Sequence, residues 1–112
     1  MRLLVAIGTV LAALLACQVA VAAAPPRHSK LQAERNLLRA THVLARWHVG
    51  LVSPRSGLLL QNTTATCTGA GTPVSGRFAR FTCVLRHGTI RVRVAYFAQR
   101  NGGFAVKRLP GT

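Results

Sequence analysis

Acid–base catalysis is the first chemistry to consider for the titratable residues of this chain, and the chain lacks the groups for it. A carboxylate pair needs two acidic side chains, whereas these 112 residues include a single Asp or Glu, Glu34. A half-buried acid among many cations is stabilised in its ionised form, so we interpret Glu34 as an ion-pair partner for an arginine of a predicted sheet. The spacing of the four histidines places no two of them in one cleft; they are His28, His42, His48 and His87. The sequence therefore predicts a non-catalytic protein, with a basic nuclease as the enzymatic alternative.

Metal and cofactor sites are not predicted either. His42 and His48 are six positions apart, so they do not lie on the same face of a helix. No CxxC or HxxxH spacing supports a zinc site. The Gly69–Gly71 segment lacks the lysine and the strand-to-helix context of a phosphate-binding loop. No cofactor, metal or specific nucleic-acid motif is expected.

The N-terminus is typical of an export signal. Arg2 precedes an uncharged apolar run that ends in small residues before Pro25 and Pro26. We interpret residues 1–24 as a signal segment, 25–28 as a linker and 29–112 as the folded domain, secreted or held at the envelope. Two alternatives remain open: Leu14–Cys17 resembles a lipobox, which makes Cys17 a possible lipidation site, and the apolar run is long enough to span a bilayer uncleaved.

Cys67 and Cys83 are the two cysteines of the exported part, and an even number in an exported chain indicates a disulfide. Two cysteines allow one connectivity. Closing a loop of this length stabilises a domain by about 3 kcal/mol, a large share of the net stability of a small domain.

Charge is the most unusual property of the chain. Without Arg2, fourteen Lys and Arg face Glu34 alone, which gives a net charge of +13. Such a surface attracts polyanions such as nucleic acid, anionic lipid or acidic polymers. A basic composition that only maintains solubility is the competing interpretation.

A long amphipathic helix is predicted directly after the linker. Ser29 and Gln32 form a capping box, and the apolar period of 3.6 continues from Lys30 to about His48, closed by Gly50. Its polar face carries a basic stripe, consisting of Arg35, Arg39, His42 and Arg46.

Beyond residue 57 the period changes to two, which predicts strands. Residues 77–86 and 89–99 are predicted strands, and His87-Gly88 between them is predicted to form a two-residue hairpin turn. The resulting register gives one almost wholly apolar face, including Phe81 paired with Val94 and Cys83 paired with Val92. The other face carries four arginines and two aromatic residues; they are Arg80, Arg86, Arg91, Arg93, Phe78 and Phe97.

The last strand is predicted over residues 104–109. A three-residue loop with a bulge at Gly103 turns Phe104 and Val106 inward and Lys107 outward, which avoids burying a lysine. The predicted fold is α+β: an N-terminal amphipathic helix packed on a four-stranded antiparallel meander sheet with one disulfide.

A resemblance accompanies this order of elements. A helix, Cys67, the motif Gly76-x-Phe78-x-x-Phe81-x-Cys83, an alternating Arg91–Tyr96 strand and Gly103-x-Ala105-Val106 are similar to small exported actinobacterial domains of unknown function with paired cysteines. The helix-then-meander order also resembles cystatin-type folds. The resemblance implies an exported domain with one disulfide and supplies no activity, since the Gln-x-Val-x-Gly loop of cystatin-type inhibitors is absent.

Two functions follow as expectations. The first is a non-catalytic binding module that holds polyanions or an anionic surface through its arginines: Arg80, Arg86, Arg91 and Arg93 on the sheet, and Arg35, Arg39 and Arg46 on the helix. The second is a protein-interaction or inhibitor domain that uses exposed aromatic residues and hairpin tips. The oligomeric state and the specific partner are left open.

Overall fold

The computed structural model describes residues 24–111. Nearly all of the predicted signal segment, and with it the possible lipidation site at Cys17 and the uncleaved-span alternative, lies outside the described residues. Within residues 24–111, no helix is both long and apolar enough to cross a bilayer.

Most connections between the elements are short, and the exception is the long segment 47–63. The helices are α1 (Lys30–Arg39) and α2 (Thr41–Arg46), and a 3₁₀ turn covers Arg100–Gly102. The strands are β1 (His28–Ser29), β2 (Thr64–Ala70), β3 (Arg77–Phe78), β4 (Arg80–His87), β5 (Ile90–Ala98) and β6 (Phe104–Arg108).

The strands form two antiparallel sheets. A four-stranded sheet has the order β2-β4-β5-β6, and a two-stranded sheet joins β1 to β3. Cys67 lies directly opposite Cys83 and is disulfide-bonded to it. The predicted mixed helix-and-sheet class, the four-stranded antiparallel sheet and the disulfide are confirmed.

The β4–β5 hairpin has the predicted faces but a different turn. His87 pairs with Ile90, so the turn residues are Gly88 and Thr89 rather than His87 and Gly88. Gly88 has φ 57°, which suits the first central position of a type II′ turn. The pairing thus moves by two residues, and Cys83 lies opposite Val94 instead of Val92. Because side chains alternate with a period of two, this shift leaves every residue on its predicted face.

The single long helix predicted from Lys30 to His48 is wrong. The α-helical ladder stops at Ala40, whose ψ of 42° is not helical and whose N–H bonds to Leu37 only three residues back. A second, shorter helix then begins at Thr41. The predicted N-cap is confirmed, since the Ser29 hydroxyl accepts a hydrogen bond from the Gln32 N–H at 3.1 Å.

Phe78 is not on the arginine-bearing face, because the chain bends at Ala79 between β3 and β4. Its ring lies over Gly69, where an added Cβ would come within 2.5 Å of it. It also contacts Phe81 edge-on at 5.5 Å between ring centroids. The predicted Phe78–Phe97 pair is therefore wrong, and Arg80 lies opposite Phe97 instead.

The β5–β6 connection also differs in detail. Ala98 pairs with Phe104, and Asn101 and Gly102 take the positive φ values of 59° and 74° that tighten the loop. Gly103 is extended rather than bulged. Lys107 is nevertheless exposed and lies opposite Ala95, on the face predicted for it.

One buried cluster holds the core together. It contains residues from α1, α2, the following loop and three strands: Ala33, Leu37, Leu44, Leu51, Cys67, Phe81, Cys83, Leu85, Val92, Val94 and Tyr96. All the sheet members of this cluster point to one side. We call that side the inner face and the opposite side the outer face.

Candidate anion-binding surface

The outer face is a regular grid in which each row crosses the sheet. The first row is Ala70, Arg80, Phe97 and Ala105; the second is Thr68, Thr82, Ala95 and Lys107. The third row is Thr66, Val84 and Arg93, continued by Leu109, whose N–H bonds to the Arg93 carbonyl. The fourth is Thr64, Arg86 and Arg91. Successive rows are two residues apart along each strand, about 6.7 Å.

Positive charge concentrates at the hairpin end of this grid. Arg86 lies directly opposite Arg91, and Arg93 follows in the next row of the same strand. All three side chains are exposed. Like charges directly opposite each other destabilise a sheet, and Glu34, the single acidic residue of the chain, makes its hydrogen bonds elsewhere. One guanidinium nitrogen of Arg93 reaches the Pro110 carbonyl at 3.5 Å, which leaves its charge uncompensated.

A shallow hollow occupies the opposite end of the outer face. Its volume is about 170 Å³, and it is lined by Ala70, Arg80, Phe81, Thr82, Ala95 and Phe97. Within residues 24–111, four large apolar side chains are exposed: Leu31, Leu58, Val74 and Phe97. Phe97 is the one aromatic residue of these four. Ala70 and Ala95 contribute only short side chains to this lining, whereas Arg80 and Phe97 are large and lie directly opposite each other.

The predicted helix arginines belong to a different surface. Arg35 and Arg39 are exposed on α1 and border a separate hollow with Ser29, Gln32 and Asn36. Arg46 is exposed on α2, beyond the break at Ala40. Since Ala33 and Leu37 of α1 belong to the same buried cluster as the inner face, the sheet and helix arginines do not form one continuous site.

Glu34 has partners other than the predicted sheet arginine. Its carboxylate pairs with Lys30 one turn earlier in α1 and accepts the Cys67 N–H at 2.8 Å. Because β2 is an edge strand, this N–H has no neighbouring strand on that side. Burial raises the pKa of Glu34, but the hydrogen bonds from Lys30 and Cys67 outweigh it and lower that pKa below its usual value.

His28 lies in a buried polar network instead of in a linker or at the surface. It pairs with Phe78 through β1, it is 3% exposed, and its Nδ1 lies 2.6 Å from the Tyr96 hydroxyl. The Asn36 amide donates to the same hydroxyl at 2.9 Å. Burial lowers the pKa of His28, and repulsion from Arg77 adds to this, while a hydrogen bond to the Gln99 backbone opposes it.

The Tyr96 hydroxyl is the centre of this network, since it contacts both His28 and Asn36. The Nδ1 of His28 and the Tyr96 hydroxyl share one hydrogen bond, and the tautomer of the ring decides which of the two donates. Burial raises the pKa of Tyr96, although the bond from Asn36 opposes the change. The arrangement is a satisfied structural network, since neither His28 nor Tyr96 reaches solvent.

Sequence reasoning missed this network because its members are distant in the chain. His28 and Tyr96 are 68 positions apart, and Asn36 and Tyr96 are 60 apart. The one available signal was the inward register position of Tyr96, since a buried tyrosine hydroxyl needs a partner.

Comparison of the chain with models of known protein families, with curated proteins and with solved structures gave no match. The similarity to small exported actinobacterial domains stays a prediction.

Proposed function

We propose that this protein is an exported, non-catalytic domain that binds anionic polymers through the outer face of its sheet. The observation that carries the proposal is the cross-strand Arg86–Arg91 pair, flanked by Arg93, on a face without a carboxylate. Such a cluster costs folding energy, and a bound polyanion would offset that cost.

Two further observations support this proposal. A cross-strand disulfide is typical of proteins that work in an oxidising compartment, which agrees with an exported protein. In the proposed arrangement α1 closes the inner face of the sheet, as the burial of Ala33 and Leu37 suggests, and the outer face is left for the ligand.

The test compares two variants with the same loss of charge. Arg91→Gln/Arg93→Gln removes two cations from the outer face, and Arg35→Gln/Arg39→Gln removes two from α1. On immobilised heparin, the sheet variant should elute at clearly lower salt than wild type, and the helix variant only slightly lower, because counterion release scales with the contacts made.

Equal shifts for the two variants would show that net charge alone matters and would refute the outer face as the site. Wild-type protein that is not retained on heparin even at low salt would refute polyanion binding and leave the protein-interaction alternative.

A further inference from the structure

The outer face presents a basic residue in every row. Arg80 stands in the first row, Lys107 in the second, Arg93 in the third, and Arg86 with Arg91 in the fourth. All five are exposed. The charges are therefore spread along the strand direction, at about 6.7 Å from one row to the next.

This spacing suits one kind of polyanion. A phosphodiester backbone of a nucleic acid has six bonds per repeat, and since three backbone bonds span up to about 3.6 Å in a peptide, six span roughly 7 Å. An extended strand that runs along the β-strands thus brings one phosphate to each row. In a duplex the same backbone repeat winds around the axis, so successive phosphates of one strand advance only about 3.4 Å along it and do not stay on one side.

The hollow in the first row adds a second recognition element. Phe97 is 38% exposed and lies directly opposite Arg80, in a hollow that Ala70 and Ala95 also line. A planar base can stack on the ring while the guanidinium contacts the base or the neighbouring phosphate. A backbone without bases gains nothing from the ring.

A double helix fits the outer face poorly. The sheet is four strands wide, about 14 Å between its outermost strands, whereas the major groove is about 12 Å wide and admits a helix or a two-stranded ribbon. A duplex can therefore contact the outer face only through a few phosphates.

We propose that the outer face binds an extended single-stranded nucleic acid along the strand direction, with one base stacked in the Arg80–Phe97 hollow. The inference deepens the proposed function and rests on it. Four rows correspond to about four nucleotides, a common site size for one small domain. The logarithm of the binding constant should then fall with the logarithm of salt concentration with a slope near −3, about −0.7 for each phosphate.

The experiment measures binding of the purified, disulfide-bonded protein by fluorescence anisotropy. The probes are oligothymidylate, an abasic deoxyribose-phosphate oligomer of equal length and a duplex of equal length. Phe97→Ala should weaken oligothymidylate binding roughly tenfold, within the range of one lost base stack, and leave the abasic oligomer unaffected. Arg91→Gln should weaken both single-stranded probes by a similar factor.

Two variants serve as matched controls. Leu58→Ala removes an exposed apolar side chain and Arg55→Gln removes an exposed charge, both outside the sheet, and neither should change binding. The inference is overturned if Phe97→Ala weakens both single-stranded probes equally or neither, or if the duplex binds as tightly as oligothymidylate. In those cases salt-dependent binding of every probe would still support the proposed function, whereas no binding at low salt would refute both.

Discussion

Replacing Glu34 by alanine removes the carboxylate that joins α1 to the edge of the sheet. The wild-type side chain is 18% exposed, pairs with Lys30 and accepts the Cys67 N–H. The variant leaves that N–H without its acceptor. Glu34→Gln keeps an acceptor oxygen and loses only the charge.

The expected loss follows from the two interactions. A hydrogen bond to a charged group contributes about 1.5–3 kcal/mol, and an exposed ion pair one helical turn apart contributes only about 0.3–0.5 kcal/mol. We therefore expect Glu34→Ala to lower the free energy of unfolding by about 2–3 kcal/mol. Glu34→Gln should cost about half as much, because a charged hydrogen bond is roughly twice as strong as a neutral one.

Urea unfolding at two pH values tests this reasoning, with Lys30→Ala as the control. Lys30 is 58% exposed, so its loss should cost about 0.5 kcal/mol or less. Because the folded pKa of Glu34 lies below its usual 4.5, the carboxylate stabilises the fold above pH 4.5, and this contribution is lost as the pH falls through the lowered value. Wild type and Glu34→Gln should therefore converge in acid. Equal stabilities at neutral pH, or a Lys30→Ala loss as large as that of Glu34→Ala, would refute the role of the Cys67 contact.

Four further predictions concern the core. Stability should fall as the pH drops below 6.5, the usual pKa of histidine, towards the lowered pKa of His28, because the unfolded chain takes up a proton that the folded chain does not; urea midpoints should show this slope in wild type and much less of it in His28→Gln. Tyr96→Phe should cost about 1–3 kcal/mol by removing the shared hydroxyl of the buried network, and thermal unfolding that matches wild type would contradict this. Gly69→Ala should destabilise the protein through the Phe78 ring, and in a double-mutant cycle the loss should shrink in a Phe78→Ala background. Reducing the disulfide should lower the free energy of unfolding by about 3 kcal/mol, as measured by urea unfolding with and without reductant.

Side-chain alternation in the strands was the most informative sequence pattern. It assigned Phe81, Cys83, Val92 and Val94 to one face, and all four are buried. It could not locate the turn, because a pairing shifted by two residues buries the same side chains. The structure places Gly88 first in the turn, where its positive φ is favourable.

No sequence pattern predicted the break between α1 and α2. Ala40 is a good helix former, and neither glycine nor proline marks the position. The apolar period also continues through α2, since Leu44 is buried seven residues after Leu37. Periodicity reports which side chains face the core, and it does not report whether the backbone hydrogen bonds continue between them.

The candidate site was predictable in part because side chains alternate between the two faces of a strand. The outward positions of Arg80, Arg86, Arg91 and Arg93 follow from alternation alone. The position of Phe78 does not, because the bend at Ala79 is a tertiary feature that lets its ring pack on Gly69. The contact of Glu34 with Cys67 depends on how α1 meets the sheet, which no local pattern encodes.

The two edge strands of the sheet are protected against self-association by different means. β6 carries Lys107 and Arg108, whose charges repel the same strand of a second copy. β2, Thr64–Ala70, contains neither a charged residue nor a proline. One of its outward N–H groups, that of Cys67, donates a hydrogen bond to the Glu34 carboxylate on α1. Acidification, which protonates that carboxylate, should therefore make β2 the point at which two molecules first pair strand to strand and begin to aggregate.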